Sequence, residues 1–110
     1  MTIPNHESAT VDRRKVVEYL LNAGHPENGG KAAFYASLDF AEGNVEELIV
    51  ALRGLASGEV TIHSASEHGD KYVIDGVLAS RTGRIGAIRA VWIIDRGSRV
   101  PRLVTAYPRG

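Results

Sequence analysis

The chain has 110 residues, 13 Lys/Arg against 13 Asp/Glu, and no cysteine. That length fits one domain with its own core, and the missing cysteines exclude a disulfide framework, a thiolate zinc site and a cysteine nucleophile. A net charge of zero gives no general attraction to nucleic acid, and no segment has the roughly 18 apolar residues of a membrane helix.

Residues 1–9 are polar, contain Pro4 and lack periodicity, and are expected to fray. Residues 10–110 form the domain. The first helix is expected near Asp12 to Ala23, capped by Thr10 or Asp12, with Val16, Val17, Leu20 and Leu21 as its apolar stripe. "GHP" should end it, with Gly24 in the left-handed position and Pro26 blocking continuation. "ENGG" reads as a loop, and "GKAAFYASL" as a short helix with Phe34 and Leu38 four apart. A third helix spans "NVEELIVALRGLASG". Asn44 and Glu47 have capping-box spacing; Val45, Leu48, Ile49, Leu52 and Leu55 form the stripe; Gly58 stops it.

Beyond Gly58 the period changes to two. "EVTIHS", "DKYVIDGVLAS", "AIRAVWIID" and "PRLVTAY" read as four strands joined by short turns. Tyr72, Ile74 and Leu78 share one face of the second, and Gly76 marks a bulge or a close backbone approach. Ile88, Ala90, Trp92 and Ile94 share a face of the third, with Trp92 in the core. Strict alternation in the fourth puts Leu103, Thr105 and Tyr107 on one side and Arg102, Val104 and Ala106 on the other. Helices followed by hairpin-linked strands predict an α+β fold: three N-terminal helices on one face of a four-stranded antiparallel meander.

Charge is unevenly spread. Residues 1–80 carry 12 acidic and 6 basic side chains, whereas residues 81–110 carry one acid, Asp95, and seven arginines. Arginine suits bidentate contacts to phosphate or carboxylate. The basic third is therefore either an anion-binding surface or the electrostatic complement of the acidic remainder.

Two zones hold candidate chemistry. In "HPENGGK", His25 follows a helix end and has the residue type of a general acid or base, while Lys31 and the loop amides could hold an anion. In the sheet, Lys71, Arg84 and Arg102 are candidate phosphate contacts, and Thr105 and Tyr107 candidates for orienting a substrate. Each also has an ordinary structural reading as a solvated or packed side chain. The four histidines show no metal-ligand spacing and no Gly-x-Ser-x-Gly elbow occurs, so neither a metal, a cofactor nor a serine triad is expected.

Three blocks, "KVVEYLLNAGHPENGGKAAFYASLDF", "HGDKYVIDGVLASRTGRIGAIRAVWIID" and "PRLVTAYP", together resemble a small bacterial domain family of unassigned function. That family occurs as stand-alone proteins and as C-terminal modules of polymorphic toxins. The resemblance covers residues 15–108 through His25–Pro26, Gly30–Lys31, Lys71–Tyr72, Gly83–Arg84, Trp92 and the terminal block with Arg102, Thr105 and Tyr107. Asp39 departs from it, since glycine is expected there. The layout is similar to the metal-independent ribonucleases of the barnase–EndoU–colicin–RelE type. This implies an RNA substrate, with His25 as acid or base, Lys31, Arg84 and Arg102 on the phosphate, and Thr105 and Tyr107 orienting it. Two alternatives stay open: a non-catalytic module, immunity-like or an adaptor, that binds a cognate protein, and a small domain that binds an anionic ligand. A cytoplasmic setting is expected, with no membrane contact, and a sheet edge could support a homo-oligomer.

Overall fold

A computed structural model describes residues 1–109. Helix α1 begins as one α-helical turn over Arg13–Lys15 and continues as a π-helical turn over Val16–Leu20. Helix α2 is Lys31–Ser37 and α3 is Val45–Leu55, with short 3-10 turns at His6–Ser8 and Glu42–Asn44. Strands β1 (Val60–Ser66), β2 (Gly69–Ala79), β3 (Ile85–Asp95) and β4 (Arg102–Pro108) form one antiparallel sheet in sequential order. This is the expected α+β meander.

The core lies between the sheet and the helices. Tyr72, Ile74 and Leu78 of β2, Ile88, Ala90 and Trp92 of β3, and Leu103 and Ala106 of β4 face Val16, Leu20, Tyr35, Leu48 and Leu52. Gly76 falls on this face because α3 crosses there: an added Cβ would meet Leu55 Cδ2 at 3.0 Å. That is the close approach expected from a strand glycine.

Several local expectations are corrected. Residues 1–9 do not hang free: Ile3 and Ala9 are buried in the core. Their polar neighbours hid two apolar contacts that only a formed core supplies. Helix α1 stops at Leu20 rather than Ala23, and Gly24 does not adopt a left-handed conformation. Instead the Leu21 N–H bonds back to the Val16 carbonyl at 2.9 Å, and Asn22 Oδ1 accepts from the Gly24 N–H at 3.0 Å. Asp12 supplies the cap, accepting from the Arg14 N–H at 2.8 Å. Asn44 does not cap α3: its Oδ1 turns back to accept from the Ala41 N–H at 2.7 Å. Asp39 holds the left-handed conformation that glycine would favour (φ 66°), and its carboxylate binds Thr82 Oγ1 at 2.6 Å and Arg84 Nε at 3.0 Å. The side chain thus ties the α2–α3 turn to the β2–β3 turn.

The largest correction is in β4. Val91 pairs with Thr105 but Trp92 pairs with Leu103, so Val104 is an extra residue, a β-bulge. Leu103 and Ala106 therefore both face the core, and Thr105 and Tyr107 pair with Val91 and Arg89 on the face away from it. Arg102, opposite Ile93, joins that second face rather than opposing Thr105.

The outer edge of β4 is occupied. The Thr10 N–H donates to the Pro101 carbonyl, the Thr10 carbonyl accepts from the Leu103 N–H, and the Tyr35 hydroxyl donates to the Ala106 carbonyl at 2.7 Å. The opposite edge, β1, is exposed from Thr61 to Ser66. Pairing through a sheet edge would have to use β1.

The arginines of the last third pair with acids, five of them with acids from earlier in the chain and Arg102 with Asp95 of the same third. Arg81 meets Glu47, Arg84 meets Asp39, Arg89 and Arg109 meet Asp75, Arg96 meets Asp70, and Arg102 meets Asp95. Among the described residues, only Arg99 of the seven lacks such a pair. The Arg89 hydrogen bonds, assisted by the Arg109 charge, hold the Asp75 carboxyl below the usual carboxylate range against the opposing effect of burial. A carboxylate whose folded pKa lies below its unfolded value of about 3.9 stabilises the fold fully above that value. The contribution is lost as pH falls through the folded pKa. Thermal melts of Asp75→Asn should therefore lie below wild type at neutral pH and converge on it in strong acid.

Candidate functional site

The site is built where α1, the loop after it and β4 meet. The loop from Asn22 to Lys31 is a chain of tight turns: the His25, Asn28 and Lys31 N–H groups donate to the carbonyls of Asn22, His25 and Asn28 at 3.0–3.1 Å. Gly29 (φ 62°) and Gly30 (φ 87°) are consecutive left-handed residues, a conformation that L side chains resist. They deliver the chain into α2 at Lys31.

Asn28 holds this loop in place. Its side chain is buried, with Nδ2 donating to the carbonyls of Tyr19 (2.7 Å) and Leu20 (3.2 Å) and Oδ1 accepting from the Ala32 N–H (2.9 Å). It thus ends α1 and starts α2 together. The α2 amide that an anion would have used is already taken.

Tyr19 is the hub. Its ring packs edge-on against His25, with centroids 4.9 Å apart. Lys31 Nζ lies 5.2 Å from the Tyr19 ring centroid and 6.0 Å from that of Tyr107, at the range of a cation–π contact. The same Nζ donates to the carbonyls of Asn28 (3.1 Å) and Glu27 (3.4 Å), and the Tyr19 hydroxyl donates to the Glu27 carbonyl at 3.3 Å. The Lys31 hydrogen bond, helped by Thr105 and by the Lys31 charge, lowers the Tyr19 pKa below the ordinary phenol value, against burial and the Glu27 charge. Thr105 Oγ1 is buried without a hydrogen-bond partner.

His25 Nδ1 accepts from the Glu27 N–H at 3.1 Å. This assigns Nδ1 as the acceptor and places the neutral ring's proton on Nε2. Beside these residues runs an open groove of about 690 Å³, lined by Asp12, Arg14, Lys15, Glu18, Tyr19, His25, Glu27 and Val104. Arg14 and Lys15 bring cations, but three carboxylates share the lining. Such a mixed wall gives little field for a long polyanion, so recognition would rest on local geometry.

His25 and Lys31 thus meet one tyrosine, Tyr19; Thr105 also acts on it, and Tyr107 joins the cluster through Lys31. The other three candidates stand apart. Lys71 is exposed on the sheet face away from the helices, Arg84 pairs with Asp39 at the β2–β3 turn, and Arg102 makes a two-point contact with Asp95 at 2.6 and 3.0 Å. Tyr19 and Asn28 were not singled out by sequence. Tyr19 sits between the stripe positions Val16 and Leu20 of α1, and only its polarity there hinted at another task.

The fold has known relatives. A chain of the structure described as "Contact-dependent growth inhibition toxin - immunity protein complex from Klebsiella pneumoniae 342" superposes with a TM-score of 0.75 over 96% of this chain and 97% of its own, at 12% sequence identity. At that identity the likeness is one of fold. No curated protein matches the sequence. The sequence profile of one family does match, over residues 2–110, and by that match the chain belongs to DUF6883, a domain of unknown function.

Proposed function

We propose that the domain is a metal-independent endoribonuclease of the toxin type. The observation that carries this reading is the packing of His25 and Lys31 against Tyr19, with Tyr107 beside Lys31, next to a groove that His25 and Tyr19 line. Cleavage of RNA by its own 2′-hydroxyl needs a proton acceptor, hydrogen-bond donors for the phosphorane oxygens and a nearby cation. His25 Nε2–H is the donor that lines the groove and Lys31 is the cation beside Tyr19, while the buried Thr105 hydroxyl acts from behind this surface as a positioning group. Similarity in fold to a chain from a toxin–immunity complex fits a toxin-associated role.

The test is incubation of purified protein with a bacterial RNA pool in EDTA. Fragments ending in 2′,3′-cyclic phosphate are expected, with His25→Ala and Thr105→Ala slower by about a hundredfold. Intact RNA, or equal cleavage by all three proteins, would rule the proposal out.

A second reading, a non-catalytic module that binds a cognate protein, is favoured by the paired arginines, which leave little free positive charge for RNA. Intact RNA together with a stoichiometric protein complex would establish it.

A further inference from the structure

We infer that the sheet face turned away from the helices is a docking surface for an acidic protein partner, one that presents an apolar stripe between carboxylates. An antiparallel sheet with one wet face ordinarily alternates apolar residues inward with polar residues outward. The central strands break that rule. Tyr72–Val73–Ile74 of β2 and Val91–Trp92–Ile93–Ile94 of β3 are unbroken apolar runs, the pattern of strands covered on both faces. The ladder sets Ile62, Val73 and Val91 side by side on the outward face, across three strands. None of the three packs into the cluster between sheet and helices, and Ile62 is 50% exposed. Each strand thus carries outward apolar surface that its own chain leaves uncovered.

The charges around this strip identify what covers it. The ladder row on one side is Asp75–Arg89–Tyr107, with Arg109 Nε on the Asp75 carboxylate at 3.3 Å. The row on the other side is Lys71–Ile93–Arg102, with Arg102 held by Asp95. Among the described residues Lys71 has no ion pair. The face therefore sets Lys71, Arg89, Arg102 and Arg109 against Asp75 and Asp95, an excess of two positive charges on a chain whose net charge is zero. A second copy of the same face would bring like charges together, which opposes self-pairing. Single-stranded RNA stacks its bases on aromatic rings, and this strip is aliphatic. An apolar surface rimmed with carboxylates complements it in both respects.

The dimensions suit a helix. Strands about 4.8 Å apart make a strip over three of them roughly 10 Å long, the diameter of one α-helix with its side chains. A helix with an apolar stripe on Ile62, Val73 and Val91 and glutamates on either side would meet Lys71 and Arg102 along one flank and Arg89 and Arg109 along the other. It would supply the second layer that the two-sided apolar runs call for. The surface lies apart from the groove lined by His25 and Tyr19, and the inference is independent of the ribonuclease reading.

The test titrates the full chain with two synthetic amphipathic helices of about 18 residues that share one leucine stripe. Glutamates flank the stripe in one peptide and lysines in its twin. Methyl resonances report where each binds. The glutamate peptide is expected to shift Ile62, Val73 and Val91 and to leave the core methyls of Ile88 and Leu48 in place. It should bind about tenfold tighter than the lysine twin at low salt, with the preference shrinking as salt is added. Lys71→Glu, at an exposed position, should melt like wild type, weaken the glutamate peptide by about tenfold and strengthen its twin. Val73→Thr keeps strand propensity and should weaken both peptides by about fivefold. Absence of binding, equal binding of the two peptides, or shifts confined to other surfaces would overturn the inference. Concentration-dependent shifts of the same methyls in the protein alone would assign the face to a second copy and overturn it too. So would a single-stranded RNA oligonucleotide that shifts them as strongly as the glutamate peptide does. None of these readouts is RNA cleavage, so each leaves the ribonuclease reading to its own test.

Discussion

Replacing Asn28 by alanine is expected to destabilise the domain by about 3 kcal/mol and to dismantle the candidate site. The substitution removes three hydrogen bonds at one buried point, two to the last carbonyls of α1 and one from the first turn of α2. Each buried group left unpaired costs about 1–3 kcal/mol, and water can reach only the more exposed Tyr19 carbonyl. For a domain of this size the loss corresponds to a fall in melting temperature of about 10 °C or more. The loop that carries His25 and Lys31 would lose its anchor at the same time. Asn28→Asp separates the terms. An ionised carboxylate still accepts from the Ala32 N–H but faces two carbonyls with no proton to donate. Its deficit should shrink as pH falls and the carboxyl becomes a donor again. Thermal melts across pH measure both effects; a melt unchanged in Asn28→Ala would show that the loop does not depend on this side chain.

Lys31→Met is expected to keep the fold and lower RNA cleavage by about a hundredfold or more. Methionine preserves the apolar stem and α2 propensity, so the structural loss is confined to two partly wetted bonds to the Glu27 and Asn28 carbonyls. The charge has larger consequences. It stands 5.2 Å from the Tyr19 ring centroid and 6.0 Å from that of Tyr107, and the Lys31 ammonium lowers the Tyr19 pKa first as a hydrogen-bond donor and then by its charge. Removing it raises that pKa and, on the proposed ribonuclease reading, takes away a cation assigned to the developing phosphorane charge. The expected signature is a lower kcat at little-changed melting temperature, with the Tyr19 ionisation displaced upward. Equal kcat in Lys31→Met and wild type would remove Lys31 from the chemistry.

The architecture was legible because its signals are local. The hydrophobic period changes from the helical stripe of Val45, Leu48 and Leu52 to the alternation of Tyr72, Ile74 and Leu78 at Gly58, and that switch alone orders helices before strands. The site was partly legible: His25, Lys31, Thr105 and Tyr107 have the residue types that phosphate chemistry uses. What stayed hidden depends on partners distant in sequence. Asn28 looks like any polar loop residue until the carbonyls of α1 are brought to it. The arginines from Arg81 to Arg109 look like a basic surface until Glu47, Asp39, Asp70 and Asp75 are placed opposite them. The face assignments in β4 failed because alternation assumes every residue is paired, and Val104 is not.

That unpaired residue separates two demands on a single strand. The sheet needs Leu103 and Ala106 inward, opposite Trp92 and Ala90, and with Val104 left out of the count the alternation of Leu103, Thr105, Ala106 and Tyr107 would be regular. Val104 is thus surplus to the ladder, and it is the residue of β4 that lines the groove beside Tyr19 and His25. The scaffold and the cleft are therefore written in different residues of the same strand, so side-chain changes at Val104 can reshape the groove while the inward-facing pair that seals the core stays untouched.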